Sequence, residues 1–314
     1  MERQDIDEMY MRRCLQLATN GKLLAKPNPM VGAVIVSNEG RIIGEGYHVR
    51  CGEEHAEVNA FASVRKEDES LLSDSTIYVS LEPCSHFGKT PPCANLIIKK
   101  GVKRVVCGCV DPFSKVQGRG IQRIREAGIE VTVGVLEAEC LVLNNRFITF
   151  NTQERPYIIL KWAQTENGFM GVKGGVLKIS TPFTKMLVHK LRSECDAILV
   201  GRNTEEQEYP QLNVRDWSGR NPQKVVLSST LPTAIHDIPS LLQQLYHDKC
   251  QTLIVEGGAT TLETFIRSGM YDEIRVEVSP TTVREGIKAP QLPKDVSVIR
   301  KEYFGNVITT YQRL

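Results

Sequence analysis

The chain has 314 residues, more than one hydrophobic core usually serves, so two domains are expected, 1–150 and 151–314. With 41% hydrophobic and 24% charged residues, no apolar run near the roughly 20 residues of a membrane span, and a start that mixes acids with bases, it reads as a cytoplasmic protein without membrane or export segment. Its 39 basic and 37 acidic residues leave a net charge of +2, which argues against a nucleic-acid partner, and nine cysteines, an odd number, argue for thiols and metal ligands over a disulfide framework.

Ile6, Met9, Tyr10, Cys14, Leu17 and Ala18 recur at helical intervals over residues 5–20, and Asn20-Gly21 supplies a stop. A hairpin follows: Val31 to Val36, a turn at Asn38-Glu39-Gly40, and a second β-rich run from Arg41. HAEVNAFASVR predicts a helix opened by His55 and Glu57. TIYVSLEPC predicts a buried strand ending at Pro83, with Cys84 and Cys93 after it. The intervening loop can bend both thiolates toward one ion.

Two cysteines and one histidine give zinc three protein ligands and leave the fourth tetrahedral position to water, as a catalytic site requires. His55, Cys84 and Cys93 are the candidate ligands, and Glu57, two residues from His55, is the candidate proton shuttle. The alternative is a closed structural site with Cys51 or His86 as fourth ligand. Cys107 and Cys109, in a strand-like run, and Cys14, Cys140, Cys195 and Cys250 are expected to pack in cores. His48 either lines the pocket or sits on a loop.

The second half alternates strand-like runs (Tyr157 to Leu160, Ala197 to Val200, Lys224 to Leu227, Thr252 to Val255) with helical stretches (Pro182 to Glu194, Ser240 to His247, Leu262 to Gly269), after a polar linker at Asn151 to Arg155. This predicts an α/β sheet whose carboxyl edge suits a dinucleotide. VEGGATT, a strand running into Gly257-Gly258 and a helix near Thr260 or Thr261, is a candidate phosphate site, although a strand-turn-helix junction needs small residues anyway.

HAE at 55–57 is the first half of the zinc-deaminase signature, and Pro83-Cys84 opens the second, whose partner cysteine is displaced to Cys93. HAEVNA and PCSHFGKTPPC, with NPMVGAVIV upstream and VDPFSKVQGRGIQRIREAGIEV downstream, resemble the deaminase domain of the bifunctional riboflavin-biosynthesis deaminase/reductase family. KWAQTENG, LRSECDAILVGRNT, YPQLNVR and VEGGATTLETF resemble its reductase half. The resemblance implies a cytidine-deaminase-like three-layer α/β/α domain followed by a dihydrofolate-reductase-like α/β domain. It implies hydrolytic deamination of a diaminohydroxy-phosphoribosylaminopyrimidine with Zn2+, then NADPH reduction of the ribosyl to a ribityl chain. The implied partner is this small molecule, with oligomeric state left open.

By the same resemblance Asn28, His86, Lys89 and Thr90 belong to the deaminase substrate pocket. Ala163, Thr204, Ser228 and the run Gly258, Ala259, Thr260, Thr261, Leu262, Glu263, Thr264 would contact the cofactor. Arg192, Leu212, Arg215 and Glu256 would hold the reductase substrate, the arginines by forking onto phosphate oxygens. For Arg192 and Arg215 the plain alternatives are a solvated helix face and a loop charge. The reductase half departs from the family pattern at Thr165 and Asn167 (usually Ser and Asp), at Val176 and Lys178 (usually Ser and an aromatic), and at Glu208-Tyr209 (usually Asp-Asp). A deaminase with a degenerate, non-reducing C-terminal domain is therefore the alternative.

Overall fold

A computed structural model describes residues 2–85, 91–112, 117–172, 174–208, 210–228 and 237–313. The chain forms two compact units, Met1–Gln153 and Glu154–Leu314. No helix among the described residues is long and apolar enough to cross a membrane.

The first unit runs α1 (Arg3–Ala18), β1 (Gly32–Val36), β2 (Ile42–Tyr47), α2 (Ala56–Ala62), β3 (Thr76–Leu81), α3 (Cys93–Lys100), β4 (Arg104–Cys109), α4 (Arg119–Glu126), β5 (Glu130–Val133), α5 (Glu137–Leu143) and α6 (Asn145–Gln153). Its sheet has the order β2-β1-β3-β4-β5, with β1 antiparallel to β2 and β3, and β3, β4 and β5 parallel. Side chains that alternate along each strand split into two cores. Ala33, Ile35, Ile77, Val79 and Val105 face α2, α3 and α4 through Ala60, Phe61, Ile97 and Ile124. Val34, Val36, Tyr78 and Val106 face α1 and α5 through Tyr10, Met11, Cys14 and Cys140. The result is three layers, α/β/α.

In α1 the buried face is Asp7, Tyr10, Met11, Cys14 and Ala18, so Met11 replaces the expected Met9, which is 44% exposed. Periodicity alone did not separate the two methionines, because each lies on the edge of the apolar stripe. The polar stretch expected as a linker is helical through Gln153: Asn151 Nδ2 and Thr152 Oγ1 donate to the carbonyls of Phe147 and Ile148, four residues back. Polar side chains that bond their own helix look like loop in sequence.

The second unit runs β6 (Tyr157–Thr165), β7 (Phe169–Gly171), α7 (Pro182–Ser193), β8 (Ala197–Gly201), α8 (Arg202–Glu208), β9 (Gln223–Leu227), α9 (Ile238–His247), β10 (Thr252–Val255), α10 (Ala259–Ser268), β11 (Glu273–Ser279), β12 (Ile287–Lys288), β13 (Val296–Phe304) and β14 (Asn306–Arg313). Seven strands are ordered β13-β14-β11-β6-β10-β8-β9, and β7 pairs with β12 apart from them. The five from β11 to β9 are parallel, while β13 and β14 add an antiparallel edge. Helices α9 and α10 cover one face with Leu241, Leu245, Leu262 and Phe265; Leu191 of α7 and Leu212 lie on the other with Ile159, Ile198 and Ile254. The strands expected from sequence are present, and β11, β13 and β14 extend the sheet beyond them. Alternating charge in EIRVEVS and VSVIRKEYF hid these strands, since one face of each is polar.

One buried ion pair ties α1 to the sheet. The Arg104 guanidinium donates to both Asp7 carboxylate oxygens at 2.7 Å and to Thr132 Oγ1 at 2.8 Å, and Tyr78 Oη donates to Asp7 at 2.9 Å. Both charged side chains are under 10% exposed. Arg104→Leu strands the Asp7 charge and is expected to cost about 3 kcal/mol, read as an earlier urea midpoint for the first unit.

Candidate active site

Two helices of the first unit begin at one point. His55 precedes α2 in extended conformation and Glu57 lies in its first turn. Cys93 is the first residue of α3, and Cys84 comes shortly after β3. His55 Nδ1 lies 3.6 Å from Cys84 Sγ and 3.4 Å from Cys93 Sγ, and the three donor atoms all lie within 4.8 Å of one another. Tetrahedral zinc with Zn–S of about 2.3 Å and Zn–N of about 2.0–2.1 Å places nitrogen and sulfur about 3.5 Å apart, so the trio fits this ion. Among the described residues no other His, Cys, Asp or Glu group is so spaced. Cys51 is exposed and stands outside it.

The electrostatics suit thiolate ligation. The Cys93 backbone N–H donates to Cys84 Sγ at 3.2 Å, and the start of α3 adds the positive end of its dipole. Hydrogen bonds from the Cys93 thiol and from His55 hold the Cys84 thiol well below its ordinary range, while Cys93 is pushed up by Cys84 and by burial. The bond to Cys84 likewise raises His55. Glu57 is 3% exposed, and burial followed by the negative charge of Cys84 raises its carboxyl to about 7.

A cavity of 540 Å³ opens onto this group, lined among others by Asn28, His48, His55, Glu57, Glu82, Asp111 and Cys84. His48 belongs to the cavity and is not a surface histidine: it is 3% exposed, and burial lowers its pKa. Its Nδ1 lies 3.0 Å from the Glu54 carbonyl, which can only accept, so Nε2 accepts from Asn28 Nδ2 at 3.1 Å. The loop bearing Asn28 is clamped by buried Asn144, which accepts from Met30 N at 2.8 Å and donates to Met30 O at 2.9 Å. Phe147 and Asn151, one helical turn apart on α6, complete the wall. His86, Lys89 and Thr90 lie outside the described residues. Cys14, Cys107, Cys109, Cys140, Cys195 and Cys250 are all buried, as packing residues should be.

In the second unit the parallel strands end together: Leu160, Val255 and Leu199 are in register, as are Gly201 and Leu227. Glu256, Thr204, Ser228 and α10 therefore leave one carboxyl edge. Thr204 Oγ1 accepts from the N–H of Gly258, the residue before α10, at 3.0 Å. Helix geometry leaves the N–H groups of Ala259 and Thr260 without intrahelical acceptors, so this end offers anion-facing donors. A Cβ on Gly201 would meet Thr261 Oγ1, which is how α10 approaches β8 so closely. Ala163 and Glu256 line a cavity of 750 Å³ with Lys161, Lys178, Lys185 and Asp216, among others. Such an edge, with donors and cations along it, fits a phosphate-bearing dinucleotide.

Several of the expected contact residues are buried or already have side-chain partners. The Leu262 side chain is wholly buried in the α9–α10 core, and Leu212 is 6% exposed in the opposite one, because each lies on the apolar face of its segment. Glu263 pairs with Arg267, and Thr264 is exposed with its hydroxyl bonded to the Thr260 carbonyl. Arg192 is neither solvated nor open to phosphate: its Nε and Nη2 donate to the two Glu256 oxygens at 2.8 Å, and Nη1 donates to Asn213 O at 3.2 Å. Burial raises the Glu256 carboxyl, but Arg192 and Lys161 outweigh it and hold it below the usual carboxylate range. Arg215 is exposed and donates to Asn213 Oδ1 at 3.0 Å. Val176, at a departure from the family pattern, is 90% exposed.

Sequence reasoning passed over Glu82, Phe147, Asn151, Lys161 and Lys185. Only Glu82 and Lys161 had a signal, standing inside LEPC and KWAQTENG; the others reach the cavities through helix geometry.

Two family models match the chain. Residues 4–109 match the cytidine and deoxycytidylate deaminase zinc-binding region, and residues 156–299 match the RibD C-terminal domain. The chain is 37% identical to riboflavin biosynthesis protein RibD of Aquifex aeolicus (strain VF5), covering 92% of this chain and 91% of that protein. This chain belongs to the RibD family. The crystal structure of a diaminohydroxyphosphoribosylaminopyrimidine deaminase/5-amino-6-(5-phosphoribosylamino)uracil reductase from Thermotoga maritima aligns with a TM-score of 0.89 at 33% identity, over 100% of both chains. Acinetobacter baumannii RibD aligns at 0.87 and 28% identity, again over 100% of both. As a RibD the chain is a bifunctional enzyme, with a zinc-binding deaminase domain and a reductase domain, and the full-length match does not favour a degenerate second half.

Cys84→Ala and Cys93→Ala each remove one of three ligands. Both variants are expected to fall from about one zinc per chain to near none after dialysis, measured by inductively coupled plasma mass spectrometry.

Proposed function

We propose that the first unit removes the amino group of 2,5-diamino-6-(5-phosphoribosylamino)pyrimidin-4-one as ammonia, and that the second reduces the ribosyl of the product to ribityl with NADPH. The observation that carries this reading is the convergence of His55, Cys84 and Cys93 on one ion-sized point beside buried Glu57. The likeness to the Thermotoga maritima protein, a diaminohydroxyphosphoribosylaminopyrimidine deaminase and 5-amino-6-(5-phosphoribosylamino)uracil reductase, supports the choice of substrate.

Zinc held by His55, Cys84 and Cys93 supplies a Lewis acid that makes water a nucleophile near neutral pH. Glu57, in the first turn of α2, takes one proton from the attacking water and passes it to the ring nitrogen, then carries the second, from the hydroxyl so added, to the amine, which departs as ammonia. Asn28, held by His48, turns its remaining amide oxygen to the pyrimidine. His86, Lys89 and Thr90 are assigned to the same substrate.

NADPH supplies the hydride for the second step. Thr204, Ser228, Ala163 and the start of α10 from Gly258 to Thr261 would hold it, the helix start offering N–H donors suited to phosphate. Glu256, held by Arg192, lines the substrate side of the cavity, where Lys161, Lys178 and Lys185 are suited to the ribose phosphate; Arg215 is assigned to the same substrate. The loss of an aromatic at Lys178 is thereby answered by a cation suited to the same anionic ligand.

Glu57→Gln keeps all three ligands and is expected to retain zinc while losing about a thousandfold or more in deamination, followed as ammonia release; wild-type turnover would remove Glu57 from its role. With wild-type zinc-loaded protein and the diaminopyrimidine substrate, ammonia release and NADPH oxidation are both expected. Ammonia without NADPH oxidation would favour the non-reducing alternative, and neither signal would refute the substrate.

A further inference from the structure

The Glu82 carboxylate, 7% exposed, accepts four main-chain hydrogen bonds. Gly120 N and Ile121 N donate to Oε1 at 2.8 and 3.4 Å, and Gly118 N and Asp111 N donate to Oε2 at 2.9 and 3.2 Å. Gly120 and Ile121 open α4, whose N-cap Gly118 has no side chain to cap it and a left-handed φ of 75°. Glu82, 38 residues from Gly120, supplies the missing cap and sets a negative charge against the positive end of the helix. The fit is close, since a Cβ on Gly120 would collide with the Pro83 carbonyl. Glu82, Pro83, Cys84 and Asp111 all line the deaminase cavity.

We propose that Glu82 is a positioning residue for deamination: by holding the main chain at Asp111 and at the start of α4 against the Pro83-Cys84 turn, it fixes the cavity wall on which the pyrimidine rests. The proposal rests on the deaminase reading of the first unit. Among the described residues Glu82 hydrogen-bonds neither to the ligand atoms nor to Glu57, so its effect passes through the main chain it holds. Glu82→Gln preserves volume but leaves one acceptor oxygen, and the amide NH2 then faces two N–H donors it cannot satisfy.

The test uses full-length, zinc-loaded Glu82→Gln. Zinc content is expected to stay at the wild-type level, amide hydrogen exchange over residues 117–121 to speed up about tenfold, and KM for the diaminopyrimidine to rise about tenfold with kcat changed by no more than about threefold. Gly120→Ala keeps the carboxylate but forces α4 off Pro83, and should reproduce the KM rise. In a cycle with Gly120→Ala, adding Glu82→Gln should raise KM by no more than about twofold further; two full, independent effects would overturn the coupling. Unchanged exchange with unchanged KM would overturn the proposal, as would a lower melting temperature with unchanged KM, which would leave Glu82 a fold residue only. Should wild-type protein release no ammonia from this substrate, the substrate reading fails by itself. Exchange over 117–121 then still tests the premise: unchanged exchange overturns the hold of Glu82 on α4, and faster exchange upholds it.

Discussion

The first unit is organised by the need to bring a histidine nitrogen within about 3.5 Å of two sulfurs carried on other elements. Each donor sits where an element starts or stops: His55 before α2, Cys93 at the head of α3, Cys84 just past β3. Such positions have unpaired main-chain groups and dipole ends, which stabilise thiolate and orient imidazole without long side chains. The sheet has to let α2 come close, and β2 does so with Gly44 and Gly46, where a side chain would meet the α2 backbone. The glycines in IIGEGY thus serve a helix that lies on them.

In the second unit the same problem has another solution. Five parallel strands end at one edge, and the residues just past each end are placed by strand register instead of by a shared ion. Arg192 and Glu256 neutralise each other there by a bidentate pair, each side chain about a tenth exposed. A pair so buried is held together by the cost of separating it, so it forms a fixed wall and not a movable anion clamp. Lys161 on β6, Lys185 on α7 and Lys178 before that helix line the same cavity.

Much of this was legible in the sequence. His-Ala-Glu before an apolar-periodic stretch, and two cysteines around a turn-rich loop after a strand, suffice to name a metal trio and its carboxylate, because ligand chemistry restricts both residue type and spacing. The sheet-forming runs Val31–Val36 and Ala197–Val200 were plain because both faces are buried. Half-buried strands such as β13, with polar residues on one face, were not, and neither was the helical character of Asn145–Gln153, whose side chains bond their own carbonyls. Arg192 shows a different limit: sequence marked it as a cation near a site, but only its distance to Glu256 reveals that its fork is already filled. Motifs report chemistry on hand; which partner wins is a matter of distance.

The clamp of Asn144 on Met30 bears on the order in which the deaminase unit can be finished during synthesis. All three donor residues lie within the first 93 positions, so they leave the tunnel well before the end of the unit. The loop carrying Asn28 still lacks the side chain that pins it, since Asn144 lies 114 positions downstream of Met30, and Phe147 and Asn151 come later still. A ribosome-bound fragment ending before α6 would thus hold the metal trio in a cavity open on one side, and the unit becomes substrate-ready only as its last helix leaves the tunnel.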